Sequence, residues 1–519
     1  MSREISPEDA HSIAPEPEGD SAPARGVVGS EPAALTGTPA PPDAAAIHAV
    51  MAGIMLAMFL SALEQTIVAP ALPAIGKSLG DFDDLSWIVT SYLLAATAAT
   101  PLFGKLTDIH GRRTIMLVAI GIFIVGSLVC GLAPTIWVLV VGRALQGIGG
   151  GGLIPIAQTI IADLLTPRER PMAQSYTSIV FMSASILGPV LGGLLTDHLH
   201  WSFIFWINLP LGAVALVMTE RALRHLPRHD RPHRLDIPGV ALMVAASVAL
   251  LLALDWGGVK YSWLSWPIVG LIAASAVLWA LFGGRLLTAN EPFIPLAILR
   301  GRVTSTITGA AFFSIGTIIA VSIYVPLYCQ AVLGASASMS GLALIGFTFG
   351  ATIGSLVTGR LIAQLTRYMR VAAVGLLIAI GIFAYLAAAA SGLSLATFSL
   401  LLTVLGAAIG PMYPTSTIVM QNAVKPYQMG TATGTLNFFR LLGGAVIVAV
   451  FGALVFGGAG GAATPVERAD LAARYDMTFI AGAVFLAISL ACVIAVEELP
   501  LHGPLRRTDA GEGPATRGA

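Results

Sequence analysis

The chain has 519 residues, 56% hydrophobic and 11% charged, with Lys+Arg and Asp+Glu balanced at 28 each and a mean hydropathy of +0.83. Soluble domains carry about 25% charged residues, so this composition excludes an ordinary water-facing globule, and the zero net charge gives no sign of a nucleic-acid partner. Cys130, Cys329 and Cys492 lie singly in apolar runs, which argues against a disulfide frame or a metal site.

Residues 1–46 are rich in Pro, Ala, Glu and Asp without an apolar segment; they read as a disordered cytoplasmic tail rather than a signal peptide. Fourteen apolar runs follow, at 47–70, 86–104, 114–133, 136–163, 173–196, 201–221, 236–256, 263–283, 303–328, 338–361, 371–391, 395–422, 429–458 and 475–497. Each suffices to cross ~30 Å of hydrocarbon as a helix. Gly, Ala, Ser and Thr recur within them, as close helix contact in lipid requires. The predicted fold is an all-α polytopic membrane protein with 14 transmembrane helices.

Positive charge sets the orientation. With the N-terminus inside, outer loops hold Lys77, Lys260, Arg468 and Arg474, Arg143 and Arg440 fall within spans, and every other Lys and Arg lies in a tail or inner loop. The acids of loop 80–84 fall outside. Both termini are therefore predicted to be cytoplasmic. The histidines of inner loop 225–233 are too irregular for a metal site.

The chain also looks duplicated. Gly104-Lys105-Leu106 ends the second span and Gly359-Arg360-Leu361 the tenth, while LGPVLGG (187–193) has a weaker echo in RLLGGAV (440–446). This gives six-helix halves at 47–221 and 303–498, a linker at 222–302 with two extra helices, and a cytoplasmic tail at 499–519. Parallel halves with a site between them suit a transporter, since rocking alternates access. No GxxxxGK[ST] loop occurs, so no cofactor is expected and an ion or substrate gradient supplies the energy. Neither a nucleophile–base pair nor a repeated filter loop is found in the spans, which disfavours an enzyme or a channel.

Individual polar residues stand out. Glu64 is the only acid well inside the first span; a carboxyl in hydrocarbon is costly, and burial disfavours its charged form, which suits proton uptake and release. The bland alternative is a neutral Glu bonded to a neighbouring helix. Counting ~1.5 Å per residue, Glu64 and Arg143 lie at similar depth below the outer surface. Arg143 then either biases the protonation of Glu64 or bonds backbone carbonyls beside the glycine run 147–152. The turn GKLTDIHGRR (104–113) is at least a topology anchor. Gln146, Tyr324, Tyr413, Gln421, Asn437 and Arg440 are candidates for a central cavity, with Gln330 and Asn422 behind them. Asp255, at the outer end of the seventh span, reads as an exposed interfacial acid.

LEQTIVAPALPAI (63–75), GKLTDIHGRR (104–113), GRALQGIGGG (142–151), LGPVLGG (187–193) and WSFIFWINLPLG (201–212) together resemble the fourteen-helix drug:proton antiporters of the major facilitator superfamily, over roughly residues 47–498. The resemblance implies a proton-driven exporter of lipophilic, often cationic compounds in the cytoplasmic membrane, working as a monomer. The alternative is a same-fold carrier of a metabolite, siderophore or amino acid. It further implies a cytoplasmic gate at Gly104, Asp108, Gly111, Arg112 and Arg113, with Asp108 bonding across to another helix, and an antiporter segment at Gly188, Pro189, Gly192 and Gly193. The family usually has Asp where Glu64 stands. The echo after the tenth span places Gln364 and Thr366 where an acid and a second glycine are expected, so the gate is predicted to be one-sided.

Overall fold

A computed structural model describes residues 44–80, 84–224, 235–258, 260–365, 367–456 and 468–501. Most of the predicted tails, the histidine loop, three residues of the acidic loop and Thr366 fall outside them. Fourteen membrane-crossing helices appear in the predicted order: α1 (Ile47–Leu79), α2 (Ser86–His110), α3 (Arg112–Gly131), α4 (Ile136–Leu164), α5 (Arg170–His198), α6 (Phe203–Leu223), α7 (Ile237–Trp256), α8 (Trp266–Thr288), α9 (Arg302–Ala331), α10 (Ser338–Gln364), α11 (Met369–Gly392), α12 (Leu395–Asn422), α13 (Pro426–Phe456) and α14 (Asp470–Ala495). No strand occurs among the described residues. Helices satisfy their own backbone polar groups, as hydrocarbon demands.

Several elements differ from the sequence reading. α2 does not end near Gly104 but runs on to His110, so most of GKLTDIHGRR is helical and only Gly111 makes the turn into α3. α1 does not stop at residue 70; it passes through a tight turn at Ala69–Ala71 and restarts as Leu72–Leu79. Pro70 and Pro73 sit in the first turns of these segments, where their missing N–H costs nothing. α12 is two helices, Leu395–Ile409 and Met412–Asn422, interrupted at Gly410–Pro411, where proline cannot continue the ladder. α14 starts five residues earlier than expected, and its Arg474 donates to the Val455 carbonyl at 3.1 Å, so this arginine belongs to a helix and not to a loop.

Small residues set the packing. Methyl groups at Gly147 and Gly151 of α4 would strike the α2 backbone at Tyr92 and Ala96, and one at Gly149 would strike α3 at Phe123. In the second half Gly350 and Gly354 of α10 meet Thr403 and Ala407 of α12 in the same manner. Large side chains such as Val141 and Ile494 point outward, 65% and 72% exposed, as a lipid-facing shell requires.

The extra pair α7–α8 docks across the seam between the halves. Trp256 of α7 meets Trp87 of α2 edge-on at 5.8 Å, and Trp279 of α8 lies 6.2 Å from Phe438 of α13. Asp236 caps α7 through the Gly239 N–H at 3.2 Å and pairs with Arg285 of α8 at 3.0 Å.

The two halves cross closely at two places on the basic side, cytoplasmic by its charge. At α2 and α13, a methyl on Gly104 would overlap the Gly430 carbonyl, and Gly434 lies beside Pro101. At α5 and α10, Gly359 abuts Pro171 and Ser175, Ser175 donates to the Ser355 carbonyl at 2.7 Å, and Ser178 bonds the Ser355 hydroxyl at 2.8 Å.

Candidate functional site

Above these crossings lies a central cavity of about 500 Å³, within the usual range for drug-sized ligands. Helices of both halves line it, mostly with apolar groups such as Phe181, Met182, Ile315, Ile319 and Phe347. A second space of about 470 Å³ extends toward α7 and shares Gln65, Leu93 and Leu441 with the first. Tyr413, Asn437 and Arg440 line the central cavity, and Tyr324 lines the second.

The remaining polar candidates are placed elsewhere. Gln146 and Gln421 line neither space: α4 turns Gln146 onto Ser127 of α3 at 2.8 Å, and Gln421 donates to the Gln158 carbonyl at 3.1 Å. Gln330 bonds Ser340, and Asn422 bonds the carbonyls of Leu499 and Pro500. A polar side chain in a span has two ways to be satisfied, a wet cavity or a neighbouring helix, and helical position alone does not separate them. Asp255 is exposed as expected, but it faces the second space and accepts from the Thr90 hydroxyl at 3.2 Å.

Glu64 and Arg143 form a buried ion pair, 0% and 1% exposed. The other Glu64 oxygen accepts from the Asn208 amide of α6 at 2.5 Å. Arg143 also donates to Gln146 at 2.6 Å and to the Ile88 carbonyl at 3.0 Å; that carbonyl belongs to α2 and not to the glycine run 147–152 considered from sequence. The Tyr92 ring covers the guanidinium at 4.4 Å, and Tyr92 is among the residues lining the central cavity. Glu64 itself does not line that cavity.

At the cytoplasmic crossing, Asp108 accepts from the Gly430 N–H at 2.9 Å and from the Thr431 N–H and hydroxyl, each at 2.7 Å. These are the first residues of the helix segment Met429–Phe456, whose amino end favours an anion. Arg112 joins Asp108 at 2.8 Å to Asp163 of α4 at 2.9 Å, and Arg113 pairs with Glu220 of α6. Gly111 links α2 to α3 at φ 83°, a left-handed conformation natural only to glycine. Gly104 supplies the close crossing described above.

A model of the Major Facilitator Superfamily matches residues 54–448. The chain belongs to the major facilitator superfamily. It is therefore a transporter, and it is 34% identical over 405 residues to "Multidrug resistance protein 3" of Bacillus subtilis (strain 168), covering 78% of each chain. A second relative, "Multidrug transporter protein MdtP" of the same organism, is 33% identical over 78% of this chain and 75% of its own. Among solved structures, the human organic anion transporter MFSD10 (TETRAN) superposes with a TM-score of 0.60 at 18% identity, over 86% of this chain and 99% of its own. The proton:xylose symporter XylE gives 0.58 at 14%, over 85% and 95%. At such identities the likeness is one of fold.

In this transporter the 187–193 segment packs α5 on α1. Methyls at Gly188 and Gly192 would collide with Thr66 and the Ile67 carbonyl, whereas Gly193 faces open space. The floor of the cavity is a polar bridge that sequence reasoning missed. Gln158 of α4 accepts from Asn437 at 2.7 Å, donates to the Tyr413 hydroxyl at 3.3 Å, and lends its carbonyl to Gln421. Its signal was present: an amide in the same apolar run as Arg143. Asn208 was visible too, as the polar residue of WINLPLG, but its partner 144 positions away was not.

Proposed function

We propose that the protein exports lipophilic compounds across the cytoplasmic membrane in exchange for protons, with Glu64 and Arg143 as the coupling pair. The observation that carries this reading is the buried ion pair placed one aromatic ring away from a drug-sized cavity closed at its basic end. Protonation of Glu64 dissolves the pair, and Arg143 must then find other acceptors. Tyr92 touches both Arg143 and the cavity, so the rearrangement alters the cavity wall without the proton entering it. Asp108 latches the cytoplasmic end while the cavity faces outward; releasing the latch lets the halves rock and the cavity load from inside. One chain supplies both walls of the cavity, which supports action as a monomer.

The multidrug names of the Bacillus relatives support lipophilic foreign compounds as cargo. The test is dye accumulation in inverted vesicles carrying an imposed acid-inside pH gradient, wild type against Glu64→Gln, with dyes of either charge. Wild type accumulates dye and loses the activity with a protonophore; Glu64→Gln does not accumulate dye. Equal gradient-driven accumulation by the variant would remove Glu64 from the coupling step.

A further inference from the structure

Among the described residues, Arg440 is the only charged one lining the central cavity. It is 2% exposed, and none of the ion pairs among the described residues involves it. Its guanidinium is held by neutral acceptors: Asn437 at 3.1 Å, the Tyr413 carbonyl at 2.9 Å, Ser416 at 2.7 Å and Thr417 at 2.8 Å. The Tyr413 ring stacks at 4.4 Å, and Nε has no partner. The other buried cation nearby, Arg143, is neutralised by Glu64. The cavity floor therefore carries one uncompensated positive charge in a low-dielectric wall. Such a charge is costly unless something pairs with it, and no carboxylate among the described residues does.

We infer that the central cavity prefers lipophilic compounds bearing an anionic group, seated with that group toward Arg440 and the apolar body against Ile315, Ile319, Phe181 and Phe347. The inference rests on the export reading for what the cavity is for, and sharpens it by naming the class of cargo. A lipophilic cation meets the opposite field at the floor: the acid of the first half is already occupied, and Asp255 belongs to the second space. Charge in a desolvated pocket discriminates more strongly than an added apolar contact.

The test uses two dyes with a common xanthene body and opposite charge, fluorescein and rhodamine 123. Their binding to the full chain in lipid nanodiscs is measured by fluorescence polarisation, with empty nanodiscs subtracted. Wild type binds fluorescein about tenfold or more tightly than rhodamine 123. Arg440→Gln brings the two affinities within about threefold of each other, and Arg440→Lys, which keeps the charge, retains the preference. An arginine that only braces α12 against α13 would lower the melting temperature in both variants while leaving the affinity ratio unchanged. That result overturns the inference, as does a wild-type preference for rhodamine 123 or no binding of either dye. Vesicle transport separates this from the export reading. If the binding preference holds but neither dye moves under a pH gradient, export fails and the charge inference stands. If dye is exported with a ratio indifferent to Arg440→Gln, export stands and the charge inference fails.

Discussion

Asp108→Asn tests the proposed cytoplasmic latch. The carboxylate accepts three hydrogen bonds from the start of α13, one on Oδ1 and two on Oδ2. An amide keeps one oxygen and turns an NH2 toward donors, so at least one bond is lost and another is opposed. Bonds to charged groups contribute ~1.5–3 kcal/mol each, and the carboxylate is only 6% exposed, so water replaces little of the loss. The arrangement closed on the cytoplasmic side should therefore lose about 2–4 kcal/mol relative to the open one, a shift of roughly thirtyfold to several-hundredfold in their ratio. The shift can be read without transport, by electron–electron distance measurement between spin labels at His110 and Lys425. Both are exposed and flank the latch, and the three cysteines would first be replaced by serine. Wild type should give mainly a short distance, and Asp108→Asn a second, longer population. Gln364→Ala, at the end of α10 in the other half and one residue past the position that echoes Asp108, should leave the distribution unchanged. A wild-type distribution in Asp108→Asn, or an equal response to Gln364→Ala, refutes the latch as an electrostatic device.

Other outcomes follow from the same geometry. Gly430→Ala places a methyl against Thr107 and the Gly104 carbonyl of the opposite half; vesicle transport should fall at least about tenfold, with the long spin-label distance favoured. Gly188→Ala drives a methyl into Thr66, whose hydroxyl donates to the Leu63 and Ala184 carbonyls at 3.0 and 2.9 Å. Overpacking of this kind costs about 1–3 kcal/mol, so its melting temperature should drop, while Gly193→Ala, facing open space, should melt like wild type. Asn208→Ala removes the second partner of Glu64 and should alter the pH dependence of transport while the protein still assembles; an unchanged profile would reduce Asn208 to packing.

The number of spans was legible because hydrocarbon thickness and the cost of bare backbone leave few options, and a run such as 371–391 has one reading. The first span was read short; the chain restarts as a helix past residue 70, with Pro70 and Pro73 where a first turn tolerates proline. Glu64 and Arg143 could be brought to one depth by counting residues, since rise per residue is fixed; that they also touch depends on helix rotation, which counting does not give. The same missing rotation explains why Gln146 was grouped with the cavity although it faces α3. Gln158 shows the opposite limit. The partners of its side chain lie 255 and 279 residues away, and only its carbonyl has a nearer one, Gln174 at 16 positions, so nothing local distinguishes it from a packed amide.

The crossing of Gly104 with Gly430 brings main chain against main chain, with no long side chain at the point of touch. A joint made this way freezes no rotamers when it closes and frees none when it parts, so little ordering entropy enters either stroke. It also buries little oily surface that would have to be rewetted on opening. Closure at that joint is then governed by one carboxylate and the three donors it faces. A joint held by so few bonds can open and close near balance, which is what a transporter needs if a single cargo molecule is to tip it.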